Sequence, residues 1–186
     1  GDFGGTRNGT VIHWPKRIQQ GGGVRPQFSH VNDVAPTILE AANLPMPNTI
    51  NGIDQIPMQG TSLMYTFDAP DAKEKHDTQY FEIIGNRGIY HNGWMARTTV
   101  MYPWMAPKRM NPVVDDSGWQ LFDTTKDFSL SNDLADQEPE RLVAMKKKFM
   151  EEAIANQVLP LDDRLLERLV PSCLLYTSPS PRDVSS

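Results

Sequence analysis

The four histidines of this 186-residue chain, His13, His30, His76 and His91, are its side chains best suited to proton transfer near neutral pH or to holding a metal. Their spacing matches neither H-x-x-x-H nor any C-x-x-C pairing. The single cysteine, Cys173, leaves no multi-cysteine metal set and no internal disulfide. His13 stands beside Trp14 in an apolar run and reads as a core histidine satisfied by backbone. His76 falls in a charged, lysine-rich stretch and His91 in a hairpin turn, so both are expected in solvent. His30 differs, because it ends a short β-prone run just ahead of a helix, where ligand sites gather at sheet edges; it is a candidate pocket-lining residue.

Other arrangements that carry chemistry are incomplete. "GTSLM" lacks the G-x-S-x-G spacing of a nucleophile elbow, so no Ser-His-Asp order can be assembled. "GGTRNG" leads into a strand pattern rather than a helix and matches neither G-x-G-x-x-G nor G-x-x-x-x-G-K-[ST], which excludes a nucleotide loop. The carboxylate pairs Asp115-Asp116 and Asp162-Asp163 lie in loop-like stretches and read as solvated turns. The methionines and tryptophan of "MYPWMAPKRM" suit a hydrophobic lid or a loop packed on a sheet.

Three zones would have to position these residues. From residue 1 to about 67 the pattern is α/β: "TVIHWP" and "FSHV" read as strands separated by the turn "GGGVRPQ". A helix follows in "NDVAPTILEAANLP", with Asp33 as N-cap, Pro36 in the first turn where its missing N–H costs nothing, and Val34, Ile38, Leu39 and Ala42 on one face. Asn43 and Pro45 end it. This succession predicts the edge of a mainly parallel sheet covered by helices. After the polar linker "PDAKEKHDTQ", residues 78–168 predict an antiparallel subdomain. "TQYFEIIGNRGIYHNGWMARTTV" gives three meandering strands broken at Gly85-Asn86 and at His91-Asn92-Gly93, and "GWQLFDTT" a fourth. "EPERLVAMKKKFMEEAIAN" is a helix with Glu138 as N-cap, Pro139 at N1, and Leu142, Met145, Phe149 and Ala153 recurring at helical spacing. Residues 169–186, rich in Ser and Pro, predict a disordered tail. That tail resembles translated sequencing-adapter read-through, so it and Cys173 are set aside.

Composition narrows the function classes. The chain is 39% hydrophobic and 22% charged, with a net charge of −5 and scattered Lys and Arg, so no basic patch points to nucleic acid or an anionic membrane. No apolar stretch approaches the roughly 18 residues of a membrane span. No signal segment is present, and the compartment is not readable.

A dozen motifs in order break the stalemate. "FGGTRNGTVIHWPKRI", "GGGVRPQFSHVNDVAPTILEAANLPMP", "NGIDQIPMQGTSLMYTF", "TQYFEIIGNRGIYHNGWMA", "WQLFDTTKDFSLSNDLADQEPERL" and "VLPLDDR" together resemble the C-terminal third of bacterial-type arylsulfatases, from residue 1 to about 168. The resemblance implies a sulfate-ester hydrolase of the alkaline-phosphatase-like superfamily. It also implies a fold in which the edge of the main mixed sheet is followed by a small four-stranded antiparallel sheet with one packed helix. Such enzymes use a formylglycine made from Cys/Ser-x-Pro/Ala-x-Arg and a calcium ion held by three Asp and an Asn. Their substrates are sulfate-ester small molecules or sulfated glycans. Relatives are often periplasmic, secreted or lysosomal.

Neither the nucleophile motif nor the calcium ligands are found in this chain: "CLLYT" lacks the Pro/Ala and Arg, and Ser178 to Arg182 lacks the central residue. The resemblance places them, and the catalytic Lys and His, ahead of Gly1, so the chain is expected to be a C-terminal portion, inactive alone. Asp2 stands where relatives often carry His, and an acid facing sulfate would repel it. Arg7, just after the family's catalytic-lysine loop, is the second candidate pocket-lining residue; its competing role is to brace the Gly4-Gly5 turn. Two other readings share these residues: a non-catalytic α/β interaction module, and a phosphodiesterase or phosphonate hydrolase of the same superfamily.

Overall fold

In the computed structural model, residues 7–100 and 116–161 are described. The expectations for Asp2, the Gly4-Gly5 turn, most of the 101–118 loop, Asp115, the Asp162-Asp163 pair and the tail with Cys173 lie outside them. The described residues form helices α1 (Val34–Ala41), α2 (Tyr65–Asp68) and α3 (Pro139–Ala155) and strands β1 (Thr49–Ile50), β2 (Ile53–Asp54), β3 (Thr78–Ile83), β4 (Asn86–His91), β5 (Trp94–Thr98) and β6 (Gln120–Asp123). The described residues divide into two compact units, one of residues 80–89, 95–100 and 116–161, the other of residues 7–79 and 90–94.

The antiparallel zone forms as its pattern dictates. β3, β4, β5 and β6 follow one another across a four-stranded sheet in sequence order, and two-residue turns join β3 to β4 and β4 to β5. The turn between β4 and β5 is Asn92-Gly93, with φ of 48° and 81°, the left-handed pair that an Asn-Gly sequence adopts most easily. The turn between β3 and β4 sits one residue earlier than expected, at Ile84-Gly85, with φ of 51° and 77°. Asn86 is drawn into β4 because its Oδ1 accepts the Val100 N–H at 2.8 Å, which forces a β-branched residue into a left-handed conformation. Glu82 Oε1 accepts the Gly85 N–H at 2.8 Å and ties that turn down.

In the first unit the core is apolar. Ile89, Ala96, Val100, Leu121, Phe122, Phe149 and Ala153 are all buried, and Trp119 meets Phe149 edge-on at 5.8 Å between ring centroids. Met145, Phe149 and Ala153 form the buried stripe of α3, as their spacing predicts. Pro139 opens the helix, and the Glu138 carbonyl accepts the Leu142 N–H at 3.0 Å. Asp116 is engaged rather than merely solvated: its Oδ1 accepts from Trp119 Nε1 at 3.1 Å, and it pairs with Lys146.

The α/β zone departs from expectation in its strands. Neither "TVIHWP" nor "FSHV" forms one, since no neighbouring backbone among the described residues completes a ladder with them. Val11 is 94% exposed, and His13, expected in a core, is exposed as well. The second run spends its polar groups elsewhere. Arg25 Nε donates to the Thr66 carbonyl at 2.8 Å, Gln27 Nε2 to those of Pro70 and Ala72 at 2.7 Å each, and the Phe28 N–H to Glu74 at 3.2 Å. Residues 25–28 thus strap the 66–74 segment, and the expected linker is a packed element.

Helix α1 exists, but the face expected to be covered is open: Val34 and Ile38 are exposed and Ala42 lies at the surface, while Pro36 is buried. The hairpin of β1 and β2, joined by Asn51-Gly52, is also exposed throughout. Gly60 is fixed by a close approach, because at φ +109° an added Cβ would stand 2.3 Å from the Asn32 carbonyl oxygen.

Candidate functional site

The polar centre of the second unit is Asp33. Its carboxylate is wholly buried and takes three donors from three separate segments: the His30 N–H at 2.7 Å, the Thr61 N–H at 2.7 Å and His76 Nδ1 at 2.7 and 2.9 Å. Asp33 heads α1 without capping it by its side chain. Instead the carboxylate reaches back to the preceding turn, and Thr37 Oγ1 donates to the Asp33 carbonyl at 2.6 Å while accepting the Leu63 N–H at 2.9 Å. The Gly60 to Leu63 segment is thereby pinned to the head of α1.

His76 is buried, not solvated. The hydrogen bond to Asp33 raises its pKa; burial opposes that, and the Asp33 charge, Gln79 and Thr78 reinforce it. Burial by itself pushes Asp33 up, but the bonds from His76, Thr61 and His30 outweigh it and hold the carboxyl below its ordinary value. The Asp33–His76 pair ties three separate segments of this unit together. Around it lie aromatic rings: Phe28 meets His76 edge-on at 5.3 Å and stacks on Tyr90 at 3.8 Å, and His30 stands edge-on to His76 at 6.4 Å. The Tyr90 hydroxyl donates to the Glu74 carboxylate, with both oxygens at 2.9 Å, and its pKa is raised, first by burial and then by that carboxylate.

The two candidate pocket residues meet this cluster from different sides. His30 is half-buried with its backbone extended, and belongs to the cluster through both its N–H and its ring. Arg7 is exposed; burial lowers its pKa and the charge of ionised Tyr90 would raise it, which sets it within electrostatic reach of that ring. Neither lines the cavity of about 300 Å³ in the same unit, whose walls are Arg17, Glu40, Thr61, Ser62, Met64, Tyr65, Asp68 and Lys75. His91, also expected in solvent, is half-buried, its Nδ1 2.7 Å from Thr78 Oγ1 and its Nε2 2.9 Å from Asn92 Nδ2.

Sequence reasoning did not find the Asp33–His76 pair, because the two residues are 43 positions apart and no short motif joins them. Among the described residues no group of three or more His, Cys, Asp or Glu side chains is placed to hold a metal ion. The chain's described residues therefore do not fit the calcium site that the resemblance implies. No helix among them is long and apolar enough to cross a membrane.

No protein-family model matches the chain. Solved structures do. Ps i-CgsB superposes with a TM-score of 0.57 at 20% identity over 84% of this chain and 31% of its own, with the same values in its complex with k-i-k-neocarrahexaose. BT4656, in complex with its substrate D-glucosamine-2-N,6-O-disulfate, superposes with a TM-score of 0.55 at 16% identity over 83% of this chain and 29% of its own. The chain thus spans about a third of the length of the structures it matches, and over that length it has the mixed α/β fold, with small antiparallel sheet and packed helix, of these sulfatases.

Proposed function

We propose that this chain serves as the C-terminal part of a sulfuric ester hydrolase of the arylsulfatase kind, bracing a catalytic centre whose reacting groups other residues supply. The observation that carries the reading is the agreement between two independent likenesses. One is the ordered series of arylsulfatase-like motifs along residues 1 to about 168; the other is the sulfatase fold over more than four-fifths of the chain. The exposed apolar side chains of the second unit support it, because Val11, Val31 and Ile38, exposed at 94%, 77% and 61%, are of the kind that further scaffold would cover.

In this reading a formylglycine would supply the nucleophile and a calcium ion would neutralise the sulfate, and the described residues offer that ion no ligand set. The contribution of the chain is mechanical. Asp33 and His76 fix the Gly60 to Leu63 segment, and Arg7 and His30 are the side chains this reading offers to line the substrate pocket of the intact enzyme. Sulfated carbohydrates are the favoured substrates, since both neighbours were solved with carbohydrate ligands, one of them a disulfated glucosamine. Taken alone, the chain is expected to be inactive.

Sequencing the source transcript upstream of Gly1 tests the reading. A Cys/Ser-x-Pro/Ala-x-Arg motif in frame, with aspartates for calcium, is the expected result; a start codon at or next to residue 1 would overturn it.

A further inference from the structure

The cavity of about 300 Å³ in the second unit is separate in its lining from the Asp33–His76 cluster, yet that cluster builds one of its walls. Asp33 Oδ1 holds the Thr61 N–H and Thr37 Oγ1 holds the Leu63 N–H, so the hydroxyl-bearing pair Thr61-Ser62 is presented on a fixed backbone. The opposite chemistry is equally anchored. The Tyr65 hydroxyl accepts the Lys75 N–H at 3.2 Å, and the Lys75 ammonium lies over the Tyr65 ring, 4.7 Å from its centroid. Arg17 pairs with Asp68 and feels the charge of Glu40, and both interactions raise its pKa. The Ser62 hydroxyl oxygen accepts the Met64 N–H at 3.3 Å, which leaves its own proton to donate.

The charges of this lining cancel: Arg17 and Lys75 stand against Glu40 and Asp68. A site for an isolated anion would carry an excess of cations, and a site for a cation the reverse. What the lining offers instead is alternation. Carboxylates accept, guanidinium and ammonium donate, and Thr61, Ser62 and Tyr65 do both. That set matches vicinal hydroxyls, each of which gives one hydrogen bond and takes another. The volume lies at the lower end of the range for small-molecule sites, enough for one sugar ring.

We propose that this cavity binds a neutral saccharide unit through its vicinal hydroxyls, with Glu40 and Lys75 as the principal acceptor and donor. The proposal does not rest on sulfatase activity. It concerns an uncharged ring, so binding can be present in a chain that hydrolyses nothing.

The test is saturation-transfer NMR and calorimetry on the full 186-residue chain. The probes are galactose and glucose, their 6-sulfates, and inorganic sulfate alone. The neutral hexose is expected to bind with a dissociation constant of about 1–10 mM, the weak range for a small polar ligand in an open site. Its 6-sulfate should bind within about threefold of that, and inorganic sulfate not at all in the same range. Glu40→Gln and Lys75→Gln should each weaken the neutral sugar at least fivefold. Neither touches the buried pair, so melting temperature should stay unchanged and a loss of binding cannot be laid to unfolding. Three results would overturn the proposal: no binding of any neutral hexose, a 6-sulfate bound more than tenfold tighter than its parent sugar, or unaltered binding in both variants.

Discussion

The two units are stabilised by opposite means. Among the described residues, eleven of the thirteen buried hydrophobic side chains belong to the unit that holds α3, and only Phe67 and Tyr90 to the other. The second unit is centred on buried Asp33, His76 and Thr66, and carries twelve of the eighteen exposed large apolar side chains. A unit with an apolar core draws its stability from area removed from water. One organised around a buried ion pair depends on geometry, because a charge out of water is tolerated only while every partner stays in place. The stability of the first should therefore follow buried apolar area, and that of the second the geometry of one polar cluster.

The largest effects should come from attacking each core in its own currency. Phe149→Ala removes a buried ring from the apolar unit and is expected to cost about 3–5 kcal/mol, read as a lowered midpoint in denaturant. Asp33→Ala leaves His76 buried without its counter-charge and frees the Thr61 and His30 N–H groups; a loss of about 3 kcal/mol is expected. Hydrogen exchange should confine that loss to amides of residues 28–76. If Asp33→Ala instead unprotects α3 equally, the division between the two units fails.

Protonation sharpens the contrast. The His76 pKa is raised in the fold, so its stabilisation is complete below the unfolded imidazole value of about 6.5 and is lost as pH rises through the native value. Asp33 is lowered, so its share is complete above the unfolded carboxyl value of about 3.9 and is lost as pH falls through the native value. The second unit should therefore be most stable in mild acid and weaken on the alkaline side. Replacing His76 by Gln should flatten that alkaline limb, and a fluorescence melt from pH 5 to 9 would show it. His30, Tyr90 and Glu74 lie around the pair and must be held constant in the comparison.

Two smaller effects belong to the surfaces. Ile84→Asn relieves a β-branched residue at φ 51° and should stabilise the apolar unit by about 1 kcal/mol. Ile38→Gln, on the open face of α1, should change the stability of the isolated chain by less than about 0.5 kcal/mol. In a protein where that face is covered, the same substitution should cost several times more.

How much of this was legible follows the same divide. Local information is the most legible: the period of Met145, Phe149 and Ala153 names the helix of the apolar unit, and Asn92-Gly93, in the second unit, names a turn. The misplaced turn of the apolar unit, at Ile84-Gly85, arose from a non-local bond between Asn86 and Val100. The same Asn-Gly signal at Asn51-Gly52 marks the β1–β2 hairpin and was there to be read. In the polar unit the decisive partners are distant. His76 sits in a stretch whose composition says solvent, and only the fold brings Asp33 to it. "TVIHWP" has the composition of a strand but no ladder partner among the described residues, and β propensity cannot supply the neighbour a strand requires. Arg7 and His30 were singled out by position and resemblance; their setting beside Tyr90 and His76 needed coordinates.

The most direct test of the central claim is an assay of the protein expressed from the complete reading frame of the source transcript, comparing sulfate release from nitrophenyl sulfate with phosphate release from the matching phosphate ester and diester. Sulfate release at least a hundredfold faster, absent from the 186-residue chain alone, is the expected result. Preferential cleavage of the phosphodiester, or no hydrolysis of either class by the complete protein, would contradict it.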